Sequence, residues 1–212
     1  VIELVIFDLG RVLIQTCDDW RHACRYAGIA LPENALELND AEHAAMEAVI
    51  ARYDTGKITV QTFCHEIAPL RGLTPEQALK THDVFLRGPY PGATKLLADL
   101  ARANLKTACL SNTSDHHWRQ MLDPASPNFM SLDRLTWRFA SHLIGVMKPH
   151  SDIYEHVERT TKIPATKIAF FDDLQANIAA ARQRGWNAYQ IRADSDPIAQ
   201  VRSQLREHGL RV

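Results

Sequence analysis

The chain is short of cysteine, of long apolar runs and of charge in one sign, and each shortage closes off a class of function. Its four cysteines (Cys17, Cys24, Cys64, Cys109) are scattered, with no Cys-x-x-Cys pair. That argues against a zinc site or a disulfide framework and fits a reducing cytoplasm. Lys and Arg number 24 against 25 Asp and Glu, a net charge of −1. With no basic excess to neutralise a phosphate backbone, nucleic acid is not expected as a partner. No uncharged apolar run approaches the roughly 18 residues of a membrane helix, so no membrane partner is expected. The opening residues, Val1 to Asp8, have neither the basic region nor the long apolar stretch of a secretion signal. A cytoplasmic location is the expectation. What is present, 46% apolar and 23% charged residues over 212 positions, is the balance of a globular enzyme with one large domain, or a core and an accessory domain.

Apolar patterning predicts five strands. Residues 2–7 are β-branched and aliphatic and end at Asp8-Leu9-Gly10. Residues 104–110 end at Ser111-Asn112, 137–143 form a weaker strand, 167–171 end at Asp172-Asp173, and 187–191 complete the set. Helical spacing over 92–103, 151–161 and 175–184 separates them, the last stopping at Gly185. Strands alternating with helices predict a Rossmann-like α/β fold, a parallel sheet with helices on both faces in three α/β/α layers. The segment 15–87 reads differently. Leu38, Ala45, Val49 and Tyr53 share a helical face, 59–67 and 75–86 also read as helices, and no convincing strand appears. This predicts an all-helical insert over 15–87 in a core made of 1–14 and 88–212.

Ligands bind at the carboxyl edge of an open α/β sheet, and three predicted strands end there in polar residues. Asp8 follows the first, Ser111 and Asn112 the second, Asp172 and Asp173 the fourth. Three carboxylates meeting at one edge repel one another, and a divalent cation relieves that; hard oxygen donors select Mg²⁺ over Zn²⁺. Lys148, in Lys148-Pro149 before a helix that Pro149 can start, lies between the third and fourth strands, from where its charge can offset the carboxylates and hold a phosphate oxygen.

Phe7-Asp8-Leu9-Gly10, Leu110-Ser111-Asn112-Thr113, Lys148-Pro149 and Phe170 to Asn177 together resemble, in order and spacing, the four motifs of the haloacid dehalogenase-like (HAD) hydrolase superfamily. The insert looks like that family's helical cap, and the Asp-Leu-Gly form looks most like the α-D-glucose-1-phosphate phosphatase group. The resemblance implies a Mg²⁺-dependent phosphatase. Asp8 would attack phosphorus to form an aspartyl-phosphate, with Lys148 and Ser111 completing the catalytic set. Asp8, the Gly10 carbonyl, Asp172 and Asp173 would hold the metal. Ser111, Asn112 and Lys148 would bind the phosphoryl oxygens, and Asn177 would fix the Asp172-Asp173 loop. The implied partner is a small phosphorylated metabolite, bound by a monomer or homodimer under a closing cap.

One position departs from the family's pattern. Its phosphatases carry a second Asp two residues after the nucleophile, as acid and base; here Gly10 stands there. General acid–base catalysis is worth about 10²- to 10⁴-fold, so three readings are open. The substrate has a leaving group that needs little protonation, such as a sugar 1-phosphate or an acyl phosphate. A cap residue, Asp18, Asp19 or His22, or a water replaces the acid, although each of the three also reads as a polar residue at a helix start. Or the protein is a weak, phosphate-binding relative. A metal-independent 2-haloacid dehalogenase is the competing enzyme class, since Gly10 does not exclude it. A protein-interaction module built on this fold is the non-enzyme reading. His116-His117 read as a solvated helix start or as the rim of the site, and Tyr53 with Gly56-Lys57 as a structural turn.

Overall fold

The computed structural model describes residues 1–31 and 37–210; residues 32–36 of the helical insert and the last two of the core segment lie outside the described residues. The strands are β1 (Leu4–Phe7), β2 (Ile14–Thr16), β3 (Leu86–Pro89), β4 (Lys106–Ser111), β5 (Trp137–Ala140), β6 (Ile168–Asp172) and β7 (Asn187–Gln190). The helices are α1 (Trp20–Tyr26), α2 (Asp40–Asp54), α3 (Val60–Leu70), α4 (Pro75–Asp83), α5 (Ala93–Arg102), α6 (Asp115–Leu122), α7 (Ser141–Ile144), α8 (Ser151–Thr161), α9 (Gln175–Gln183) and α10 (Pro197–Glu207).

Five strands form one parallel sheet in the order β5-β4-β1-β6-β7. β1 is central and wholly buried. Successive side chains of a strand face opposite sides of the sheet, so β1 feeds two cores. Val5 and Phe7 pack with Leu96, Leu97 and Leu100 of α5 and Val201 and Leu205 of α10. Leu4 and Ile6 pack with Ile153, Tyr154 and Val157 of α8 and Ile178 and Ala181 of α9. This is the three-layer α/β/α arrangement, and its register brings the ends of β1, β4 and β6 to one edge. Asp8 continues the β1 ladder by one bond, its N–H donating to the Phe171 carbonyl at 2.8 Å.

A third apolar cluster draws Met46, Val49 and Tyr53 from α2, Phe63, Cys64 and Ile67 from α3, and Ala78 from α4. The helices start at side-chain caps: Asn39 and Glu42 form a reciprocal capping box on α2, Thr74 and Gln77 another on α4.

Three features differ from the sequence expectation. β2 and β3, at the two ends of the insert, pair antiparallel in a short ribbon that carries no readable alternation. The strand expected over 137–143 stops at Ala140, and Ser141 begins the single turn α7 that Gly145 ends. Pro149 does not start α8 at its first position, since His150 is the N-cap and Ser151 the first helical residue.

Candidate active site

Asp8, Asp172 and Asp173 meet at the carboxyl edge of the sheet, each offering an oxygen within 4.8 Å of the others. Lys148 stands among them, buried to 1% exposure. Its Nζ lies 2.6 Å from Asp172 Oδ2 and 3.2 Å from Asp8 Oδ2, and 5.5 Å from the Phe170 ring centroid. These two carboxylates hold the Lys148 ammonium above its ordinary range against the opposing effect of burial. Asp8 also accepts the Leu9 N–H at 2.6 Å. Burial, then Asp172 and Asp173, push the Asp8 carboxyl up to about 7 despite the pull of Lys148.

The supporting shell comes from neighbouring turns. Asn177, in the first turn of α9, donates its amide to both oxygens of Asp172 at 2.9 and 3.0 Å, and the Leu174 N–H donates to Oδ1 at 2.8 Å. Asn112 clamps the main chain of Lys148, donating Nδ2 to its carbonyl and accepting its N–H, both at 2.8 Å. Ser111 is buried at the end of β4.

Arg11 completes the set, and nothing in the sequence reading assigned it a role. Its backbone is left-handed, φ +60°, a conformation uncommon for a residue with a side chain. Its Nε lies 3.1 Å from Asp173 Oδ2, and its guanidinium also reaches Asp18 at 3.5 Å. Three carboxylates thus face two cations, Lys148 and Arg11. The surplus negative charge, the all-oxygen donor set and the raised Asp8 pKa are what a hard divalent cation relieves, so these residues fit Mg²⁺.

A family model for haloacid dehalogenase-like hydrolases matches residues 2–185. The chain belongs to the haloacid dehalogenase-like hydrolase family. Among solved structures, a HAD-like family hydrolase from Porphyromonas gingivalis is similar with a TM-score of 0.76 at 20% identity, covering 97% of this chain and 98% of that one. A HAD family enzyme from Bacteroides thetaiotaomicron, in complex with magnesium and inorganic phosphate, has a TM-score of 0.73 at 24% identity, covering 92% and 97%. The L-2-haloacid dehalogenase from Xanthobacter autotrophicus has a TM-score of 0.62 at 21% identity, covering 97% and 83%. At these identities the likeness is one of fold.

In this hydrolase a cavity of about 220 Å³ opens between the strand ends and helices α1 to α4. Leu9, Gly10, Ser111, Asn112 and Thr113 line one wall, and Trp20, Ile50, Tyr53, Asp54 and Phe63 the other. Of the residues weighed as substitutes for the acid, Asp19 caps α1 through its bond from the His22 N–H at 2.7 Å. Asp18 is 73% exposed and pairs with Arg11 and the His22 ring. None of the three lines this cavity.

His117 does line it, and with His116 it departs from the solvated helix start expected of the pair. The His117 ring stacks on His82 at 4.0 Å between centroids and bonds to the His82 carbonyl at 3.0 Å. His116 bonds to Asp83 at 2.6 Å. Burial first, then neighbouring imidazoles, lower the pKa of His82 and take His117 down to about 4. Both rings are therefore neutral at pH 7. Tyr53 donates to or accepts from His82 Nε2 at 2.9 Å.

Proposed function

We propose that this hydrolase is a Mg²⁺-dependent phosphatase of a small phosphomonoester, acting through an aspartyl-phosphate on Asp8, with residues 15–87 as its cap. The observation that carries the reading is the excess of carboxylate over cation around Asp8. A metal-free displacement gains nothing from a third carboxylate. The Bacteroides relative's complex with magnesium and inorganic phosphate supports it.

In this reading Asp8, Asp172, Asp173 and the Gly10 carbonyl hold Mg²⁺, which when bound neutralises charge on the phosphoryl oxygens. Asp8 attacks phosphorus, and the departing oxygen takes the P–O electron pair. Lys148 meets the phosphoryl charge from a site already desolvated, where electrostatic stabilisation is strongest. Ser111 and Asn112 hold the equatorial oxygens. Asn177 keeps Asp172 oriented, and the cap excludes water during the first step and readmits it for hydrolysis of the phosphoenzyme.

The Asp8-Leu9-Gly10 form makes a sugar 1-phosphate the first ester to try, beside aryl and alkyl phosphates. Phosphate release is measured with Mg²⁺ and with EDTA, and halide release from 2-haloacids in parallel. Mg²⁺-dependent phosphate release that Asp8→Asn abolishes is the expected result. Halide release indifferent to EDTA would assign the site to dehalogenation instead.

A further inference from the structure

Gly10 has no side chain to protonate a leaving group, and the cavity it lines has few groups that can. Of the ionisable side chains on the cavity wall, His82 and His117 are held neutral and already bonded, His82 to Tyr53 and His117 to the His82 carbonyl. Burial raises the Tyr53 phenol far above neutrality. Asp54 remains, the last residue of α2, on the cap-side wall opposite Gly10 and Ser111. Its carboxyl has no hydrogen-bond or ion-pair partner among the described residues, although its neighbours Ile50, Tyr53, Phe63 and Trp20 are apolar or aromatic. Asp54 is half-buried, and its carboxyl, held by no protein group, stays open to the cavity, where a proton can pass between it and a bound ester.

We propose that Asp54 is the general acid–base residue of this hydrolase, delivering from the cap the proton that Gly10 lacks. The assignment rests on the phosphatase reading above. In the first step Asp8 Oδ bonds to phosphorus and the ester P–O bond breaks. Its electron pair goes to the leaving oxygen, which takes the Asp54 carboxyl proton and departs as the alcohol. In the second step water attacks the aspartyl-phosphate, its proton goes to Asp54, and the P–O bond to Asp8 breaks to give inorganic phosphate. Burial without a nearby cation raises the Asp54 carboxyl to about 7, so at neutral pH it exists in both the forms that the two steps need.

The test is the dependence of rate on leaving-group basicity. Wild type, Asp54→Asn and Asp54→Ala are assayed with 4-nitrophenyl phosphate, phenyl phosphate and glycerol 2-phosphate in Mg²⁺, each variant with a thermal melt, so that either folded variant suffices. Both variants are expected to melt no lower than wild type, because Asp54 has no partner to lose. Their kcat/KM is expected to fall about 10²- to 10⁴-fold on glycerol 2-phosphate, and at least tenfold less on 4-nitrophenyl phosphate, whose anion departs without a proton. Equal losses on all three esters, as for a residue that only binds substrate, or no loss on any, would overturn the assignment. Absence of Mg²⁺-dependent phosphate release from wild type would instead overturn the phosphatase reading.

Discussion

Lys148 is the residue on which the charge balance of the site turns. Desolvating an ammonium and two carboxylates is offset only while all three are present. Lys148→Met is expected to cost about 3–5 kcal/mol in urea unfolding and at least 10² in kcat, the scale of removing one oriented transition-state donor. Asn112→Ala leaves the Lys148 N–H and carbonyl without their partners, and is expected to cost about 1–3 kcal/mol while lowering kcat more than it raises KM. The first follows from the sequence, where Lys148 reads as the charge that offsets the carboxylates; the second rests on the Asn112 clamp, which the sequence does not display. Asp8, Ser111, Asn112, Asp172 and Asp173 are legible because each sits where an apolar strand pattern breaks at a polar residue. Arg11 is not legible, because its contact with Asp173 depends on a left-handed backbone that no residue type announces. Asp54 reads as one more polar residue before a glycine turn, and only its placement on the cavity wall distinguishes it.

At the scale of elements, the turn after α2 and the short helix α7 control how the insert meets the core. Gly56 has φ +72°, and a Cβ there would stand 2.5 Å from the His142 carbonyl oxygen. Gly56→Ala therefore combines left-handed strain of roughly 1–2 kcal/mol with a backbone clash. It is expected to lower the melting temperature by several degrees and, by displacing the α2 end that carries Asp54, to lower kcat more on glycerol 2-phosphate than on 4-nitrophenyl phosphate. The His82–His117 stack, between α4 and α6, gives a second contact of the insert with the core a pH dependence. A histidine kept neutral in the fold at about 4, against 6.5 when unfolded, binds fewer protons folded than unfolded between those values. His117 thus contributes full stability above pH 6.5 and loses it progressively down to about 4. Thermal melts from pH 8 to pH 4.5 are expected to fall less steeply for His117→Gln than for wild type. The strands of the main sheet were readable from their apolar runs. β2 and β3 were not, since three or four residues interrupted by Gly88 and Pro89 show no alternation.

At the scale of the whole molecule, a cation bound only by the folded chain stabilises it by mass action. Mg²⁺ at a hundred times its Kd is expected to add about 2.7 kcal/mol, a melting shift of roughly 5–10 °C for a chain this size, and Asp172→Asn is expected to remove that shift. Among the described residues no helix is long and apolar enough to cross a membrane. The placement of β1 at the middle of the sheet has a consequence for biosynthesis. Its partners β4 and β6 begin at Lys106 and Ile168. At about 5–20 residues per second, the ribosome releases β1 roughly 5–20 s before its first neighbour exists and roughly 8–32 s before its second. Through that interval a fully apolar tetrapeptide waits beside the nascent insert with both hydrogen-bonding edges open. A holdase chaperone that shields it, or a circular permutant that delivers β1 last, is therefore expected to raise the yield of soluble protein.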